Sequence, residues 1–165
     1  MSTESNLKDA FAGESQANRK YLAFSKKARE EGFEQIARLF RAAAESETIH
    51  ALNHLRILGV GDTKKNLADA VEGETYEFTE MYPGFIEEAK GENNTKAIDS
   101  FTWANNVEKA HAGLYKRALE RVDEGNDLEA AEYNLCENCG YIAEGEALGG
   151  CPVCGFPKNQ FRIIE

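Results

Sequence analysis

Cysteine is missing from the first 135 residues of this chain, and all four cysteines lie between Cys136 and Cys154. The main body therefore has no disulfide framework. In a reducing compartment, so tight a cluster favours metal ligation over disulfides. Proline is nearly as scarce, with three residues in 165 and none before Pro83. No apolar run approaches the length of a membrane span. The segment Met1 to Ala10 is polar and mixed in charge, without the apolar stretch of a signal peptide, so a cytoplasmic protein is expected. Basic residues are few, 19 against 29 acids, giving a formal net charge of −10 and a pI near 4.9. Neither nucleic-acid phosphates nor anionic lipids attract such a surface; small molecules or basic partners fit better. What remains is an ordinary globular balance, 42% hydrophobic and 29% charged, long enough for one domain and a small appendage.

Four helical stripes account for most of the chain. Leu7, Ala10, Glu14, Ala17, Tyr21, Phe24 and Ala28 recur at three- and four-residue steps up to about Arg29, and Gly32 ends the helix. Ile36, Phe40, Ala43, Glu47, His50, His54 and Ile57 define a second helix from about Phe33 to Leu58, stopped by Gly59. Leu67, Ala70, Glu74, Glu77, Met81 and Gly84 mark a third that fades near Lys90. Ala97, Phe101, Ala104, Glu108, His111, Tyr115, Ala118 and Val122 mark a fourth that stops at Gly125. Glu and His thus stand where Leu would pack. The pairs Glu47-x-x-His50 and Glu108-x-x-His111 each aim a carboxylate and an imidazole at one point, because residues three apart share a helix face. Buried carboxylates cost several kcal/mol each unless paired or metal-bound, so Glu14, Glu47, Glu74, Glu77 and Glu108 need a cation. The alternative, helices rotated so that these acids face water, would expose Leu7, Tyr21, Ile36, Phe40, Leu67, Met81 and Phe101 together.

The halves form an internal repeat. Tyr21, Phe24, Ala28, Phe40, Glu47 and His50 match Tyr82, Phe85, Ala89, Phe101, Glu108 and His111 at an offset of 61, whereas Gly13-Glu14 matches Gly73-Glu74 at 60. The third helix therefore holds one extra residue. A helix absorbs it most easily as a π-bulge, and Pro83 cannot donate to the i−4 carbonyl, so a bulge or kink is expected between Glu74 and Pro83. Glu77 breaks the symmetry, since Gln16 or Ala17 stands at the equivalent place. It is a candidate fifth carboxylate.

After Gly125, residues Asn126 to Glu132 read as a linker, and Tyr133 to Glu165 are rich in Gly, Cys and Pro. Cys136-Glu137-Asn138-Cys139-Gly140 and Cys151-Pro152-Val153-Cys154-Gly155 are paired knuckles for one tetrahedral four-thiolate site. The Gly after each second Cys permits positive φ and turns backbone amides toward sulfur. Zinc and iron both accept four sulfurs. Tyr133, Tyr141, Phe156, Phe161 and Ile163 are the expected small core, with metal supplying much of its folding free energy.

At these residues the chain resembles the rubrerythrin family over essentially its whole length. The resemblance rests on Ala12-Gly13-Glu14-Ser15, Glu47-x-x-His50, Gly73-Glu74-x-Tyr76-Glu77 with Met81-Tyr82-Pro83, Glu108-x-x-His111 and the knuckles. It implies a mainly α fold: a ferritin-like four-helix bundle holding two non-haem irons over residues 1–130, and a rubredoxin-like Fe(Cys)4 domain over residues 131–165. Zinc could replace that iron on recombinant expression. It further implies that Glu47 and Glu108 bridge the irons, that Glu14 is a terminal ligand of one, and that Glu74 with His111 holds the other. Glu77 and His50, the implied catalytic pair, would exchange as ligand to the Glu14 iron. Cys136, Cys139, Cys151 and Cys154 would bind the third iron. Tyr21 and Tyr82 would be donors that orient carboxylates, or aromatic packing, and His54 is expected not to ligate. The implied activity is a peroxidase that reduces hydrogen peroxide to water in oxidative-stress defence, with electrons from the Fe(Cys)4 site. An external small redox protein or NAD(P)H-dependent reductase would refill that site, in a head-to-tail homodimer. Ferroxidase activity, with ferrous iron as substrate, is the rival reading.

Overall fold

The computed structural model describes residues 2–145 and 149–164, which divide into two compact units, 2–60 and 61–164. The first unit is a helical hairpin of α1 (Thr3–Glu30) and α2 (Glu34–Leu58). The Ser2 hydroxyl caps α1 by accepting from Ser5 N at 3.1 Å. Gly32, at φ 85°, turns the chain while Phe33 N donates to Ala28 O at 2.8 Å, a Schellman-type stop. The seam between the helices is built from small residues. Ala37 and Ala44 are 0% exposed and, with Ala51, recur every seven residues along α2, while Ser25 and Ala28 are the buried residues of α1. Close approach allows side chains to reach backbone: Ser25 Oγ donates to Ala37 O at 2.8 Å, and Asn18 Nδ2 to Ala44 O at 2.7 Å. Three large residues of the expected stripes, Phe24, Ile36 and Ile57, are exposed in this unit, as are Leu22, Leu39, Ile49 and Leu52 outside them, because two helices in contact shield only the residues on their shared seam.

The second unit begins with α3 (Thr63–Tyr76), capped by the Asp62 carboxylate accepting from Lys65 N at 2.8 Å. The expected bulge is there. Residues Glu77–Met81 form a π-helical segment, in which Tyr82 N donates to Glu77 O, five residues back, and α4 (Tyr82–Gly91) follows with Pro83 in its first turn. The segment absorbs the inserted residue and keeps Glu74 and Tyr82 on one face. Helix α5 (Thr95–Asp123), capped by Asn94, packs along α3, the π segment and α4. Tyr82, Phe85 and Phe101 cluster with centroids 5.6–6.3 Å apart, reproducing the Tyr21, Phe24 and Phe40 cluster of the first unit at 5.5–6.3 Å.

The knuckle region folds as a three-stranded antiparallel sheet, β1 (Tyr133–Cys136) between β2 (Ile142–Glu144) and β3 (Phe161–Ile164). Register pairs Leu135 with Ile142 and Asn134 with Ile163. Alternation along β1 buries Asn134 and Cys136, while Tyr133 and Leu135 join Ile142 and Ile164 beside Leu114, Tyr115 and Ala118 of α5. The expected small core is corrected at two positions. Phe156 and Ile163 are exposed, since a three-stranded sheet this short has one protected face. No helix among the described residues is long and apolar enough to cross a membrane.

Candidate metal centres

Among the described residues, three clusters of metal-type donors form, each with its donor atoms within 4.8 Å of one another: Glu14, Glu47 and His50; Glu74, Glu108 and His111; and the four cysteines. Helix spacing makes the first two. In each Glu-x-x-His pair, His Nδ1 lies 2.9 Å from the carboxylate Oε2, His50 with Glu47 and His111 with Glu108. Two ligands at right angles on a metal about 2.1 Å away stand about 3.0 Å apart, so these pairs already have chelating geometry. Glu74 Oε1 comes within 3.9 Å of His111 Nδ1 from the facing helix.

The two groups differ in burial. Glu47, Glu108 and His111 side chains are 17–18% exposed, whereas His50 is 51% exposed. The sequence places both imidazoles on core stripes. Only His111 is enclosed, because α3 lies across it, while His50 sits on the less shielded side of the hairpin. Among the described residues, His111 Nε2 is buried without a hydrogen-bond partner, as is Asn105 Oδ1 six residues earlier on α5. His54 is half-buried on α2.

Burial sets the charge state of the second group. Desolvation, then a hydrogen bond shared with Glu108 and the repulsion between them, pushes Glu74 up to about 7. Desolvation also raises Glu108. Glu77 is raised by desolvation and by Glu74, with His111 opposing, so it belongs electrostatically to this group. Tyr82 is raised by burial and then by Glu108, Glu77 and Glu74, which puts its hydroxyl in the field of the acids as well as in the aromatic cluster. Tyr21 is observed in its aromatic cluster with Phe24 and Phe40. Desolvated acids crowded beside an imidazole fit a divalent cation, whose charge would offset their repulsion.

The four thiols are free, with Cys136 Sγ 3.7 Å from Cys154 Sγ and Cys139 Sγ 3.5 Å from Cys151 Sγ. Sulfurs 2.3 Å from one ion at tetrahedral angles stand about 3.8 Å apart, so the donor set fits a single metal. Disulfides, at about 2.05 Å, are far from this geometry. Both knuckles repeat one backbone pattern. Gly140 N donates to Cys136 O and Gly155 N to Cys151 O, each at 2.9 Å, with Gly140 at φ 86° and Gly155 at φ 73°. The amides that follow, of Tyr141 and Phe156, then donate to Cys139 and Cys154 sulfur. Burial pushes the Cys154 thiol up, but hydrogen bonds from Asn138, Phe156 N–H and neighbouring thiols outweigh it and bring it to about 7. Burial dominates at Cys139, which is raised. Asn138 was legible as a knuckle residue, but its side-chain donor role depends on the fold bringing Cys154 to it.

Comparison with known proteins agrees with this chemistry. The rubrerythrin family model matches residues 5–119, and a model described as the rubredoxin-like domain of rubrerythrin matches residues 135–162. The chain belongs to the rubrerythrin family. Nigerythrin of Nitratidesulfovibrio vulgaris is 42% identical, covering 97% of this chain and 85% of that protein. Rubrerythrin-1 of Clostridium acetobutylicum is 36% identical over 99% of this chain and 94% of its own length. A solved structure of mixed-valence nigerythrin superposes with a TM-score of 0.60 at 40% identity, covering 99% of this chain and 87% of that one. The family architecture, a ferritin-like four-helix bundle with a rubredoxin-like domain, is therefore the fold of this chain. Its cofactors are a di-iron site and an Fe(Cys)4 site, for which the donors are present. The family is one of iron-based oxidoreductases associated with oxidative stress.

Proposed function

We propose that the chain is a non-haem di-iron peroxidase that reduces hydrogen peroxide to water, with electrons delivered from its four-cysteine iron site. The observation that carries this reading is Glu77, a carboxylate on the π segment, outside the symmetric Glu and Glu-x-x-His set yet in the field of Glu74 and His111. Storage chemistry needs no such additional acid, and it needs no attached thiolate site. Bound iron would supply one electron from each of two ions, a two-electron reduction that releases no radical. Glu14, Glu47, His50, Glu74, Glu77, Glu108 and His111 are the residues that would hold the irons, with Glu47 and Glu108 as the carboxylates that would be shared between them. His50, whose side chain is 51% exposed, and Glu77 would be the alternating ligands. Desolvation and the neighbouring Glu74 raise the Glu77 carboxyl, with His111 opposing, which suits Glu77 to a proton-donating role beside the site. Tyr82 orients the acids from the same face, with Tyr21 its counterpart.

The remainder of the proposal is a cytoplasmic homodimer with the functional division near residue 130. An external small redox protein or NAD(P)H-dependent reductase refills the thiolate site. The test is anaerobic. The fully reduced protein receives one equivalent of peroxide, and the expected result is oxidation of the bundle irons followed by return of the red ferric four-thiolate absorbance. Steady oxidation of added ferrous iron without preference for peroxide would instead establish a ferroxidase. A colourless knuckle site would identify zinc and remove the electron route.

A further inference from the structure

The helices of this chain are joined only by short turns. Residues 31–33, 59–62 and 92–94 are the connections within residues 3–123, and none exceeds four residues. A ferritin-like bundle nevertheless includes one long crossover, because one helix runs parallel to its predecessor and the chain must first return to the far end. In a chain made of two repeated hairpins, that crossover belongs between α2 and α3. Helix α2 has 25 residues and is about 37 Å long. The chain from Leu58 to Thr63 spans at most about 18 Å, half of what a crossover needs. Within one chain, so short a turn leads only to the up-down-up-down topology of a different bundle class.

The donor groups divide at the same place. Glu14, Glu47 and His50 belong to residues 2–60, and Glu74, Glu108 and His111 to residues 61–164. Apolar side chains stand exposed along both ligand stripes, Phe24, Ile36 and Ile57 with His50 on the hairpin and Phe85 on the second half. A stripe of this kind marks an interaction surface.

We propose that the bundle is built by two copies exchanging hairpins, with α1 and α2 of one copy packed against α3, α4 and α5 of the other. Each metal site then takes Glu14, Glu47 and His50 from one subunit and Glu74, Glu77, Glu108 and His111 from its partner. No crossover is needed, since each connector only steps from one bundle to the next. The exchange is reciprocal, so two identical sites form about a twofold axis and no hairpin is left over. A single copy holds half a site, which links iron occupancy to dimer formation. The inference rests on Glu47 and Glu108 serving one di-iron site, and not on peroxide chemistry.

Complementation tests the exchange. One chain carries Glu47→Ala with His50→Ala, the other Glu108→Ala with His111→Ala, each with its own affinity tag. Each variant alone should keep the red thiolate-site colour and the helical circular dichroism but hold no bundle iron. In purified mixed dimers, exchange gathers all four lesions into one site and leaves the other intact. Bundle iron should therefore return to half the native dimer's value by elemental analysis. Mixed dimers without bundle iron would overturn the inference, because chains folded on themselves carry two lesions in every site. Lengthening the connector gives the converse. About twenty Gly and Ser residues inserted between Val60 and Gly61 are enough to run the length of α2, so each chain can close its own bundle. The lengthened chain without lesions should keep its bundle iron, and lengthened mixed dimers should lose theirs. Undiminished complementation after lengthening would overturn the role given to the connector. The native protein supplies a reading that needs no variant: in sedimentation at falling concentration, bundle iron should travel only with the dimer, and an iron-loaded monomer would refute the exchange. If the native protein fails to reduce peroxide, the peroxidase reading is lost, and iron content still decides the exchange.

Discussion

Glu77 concentrates the argument at the scale of single residues. Ala17 or Gln16 fills its place in the other half, and the π segment that carries Glu77 has no counterpart there. Substituting Glu77→Ala should slow peroxide reduction by about 10²-fold, the span of a general acid–base contribution, while leaving the red four-thiolate spectrum intact; unchanged turnover would exclude Glu77 from the mechanism. Glu74 gives a pH signature. Its folded pKa, about 7, lies above the ordinary 4.5, so the folded metal-free protein binds more protons than the unfolded chain. The resulting stability is full below about pH 4.5 and is lost as pH rises toward and through 7. Calorimetry should therefore show the metal-free bundle melting at lower temperature at pH 8 than at pH 5. Metal loading should reverse that trend and release protons, measurable by a pH indicator.

Among the elements, the π segment was legible because a repeat offset of 60 became 61 between Glu74 and Tyr82, and a helix has few ways to hold one extra residue. Deleting Thr79 should restore regular helix with the seven-residue spacing of Glu14 and Tyr21, so that Glu74, Tyr82 and Phe85 stay on one face. We expect bundle metal and knuckle metal both to be retained, read by elemental analysis. The same reasoning shows where periodicity misleads. Stripes in α1 and α2 pointed to Tyr21, Phe24, Ile36 and Phe40 as interior. The deepest positions of the hairpin are instead Ala37 and Ala44, because helices approach most closely where side chains are smallest.

For the whole molecule, the division of labour runs between a helical body with its own packing and a knuckle region with few apolar residues. The only deeply buried hydrophobic side chains among the described residues of the knuckle are Cys136 and Cys151, both proposed ligands. Metal must then carry much of that region's stability. Removing the knuckle metal with a thiol reagent and chelator should abolish hydrogen-exchange protection across residues 133–164. Far-UV circular dichroism should retain the helical signal. A proportional loss of helix would show that the body depends on the knuckle.

Donor types, their spacing and the repeat were legible in sequence alone, because a helix fixes which residues share a face and a knuckle fixes which thiols meet. Tertiary structure decided what no periodicity contains: which imidazole is enclosed, which acids share protons, and which face of α5 receives the knuckle. Those outcomes depend on what lies across from a residue, and that neighbour is chosen only when distant segments pack.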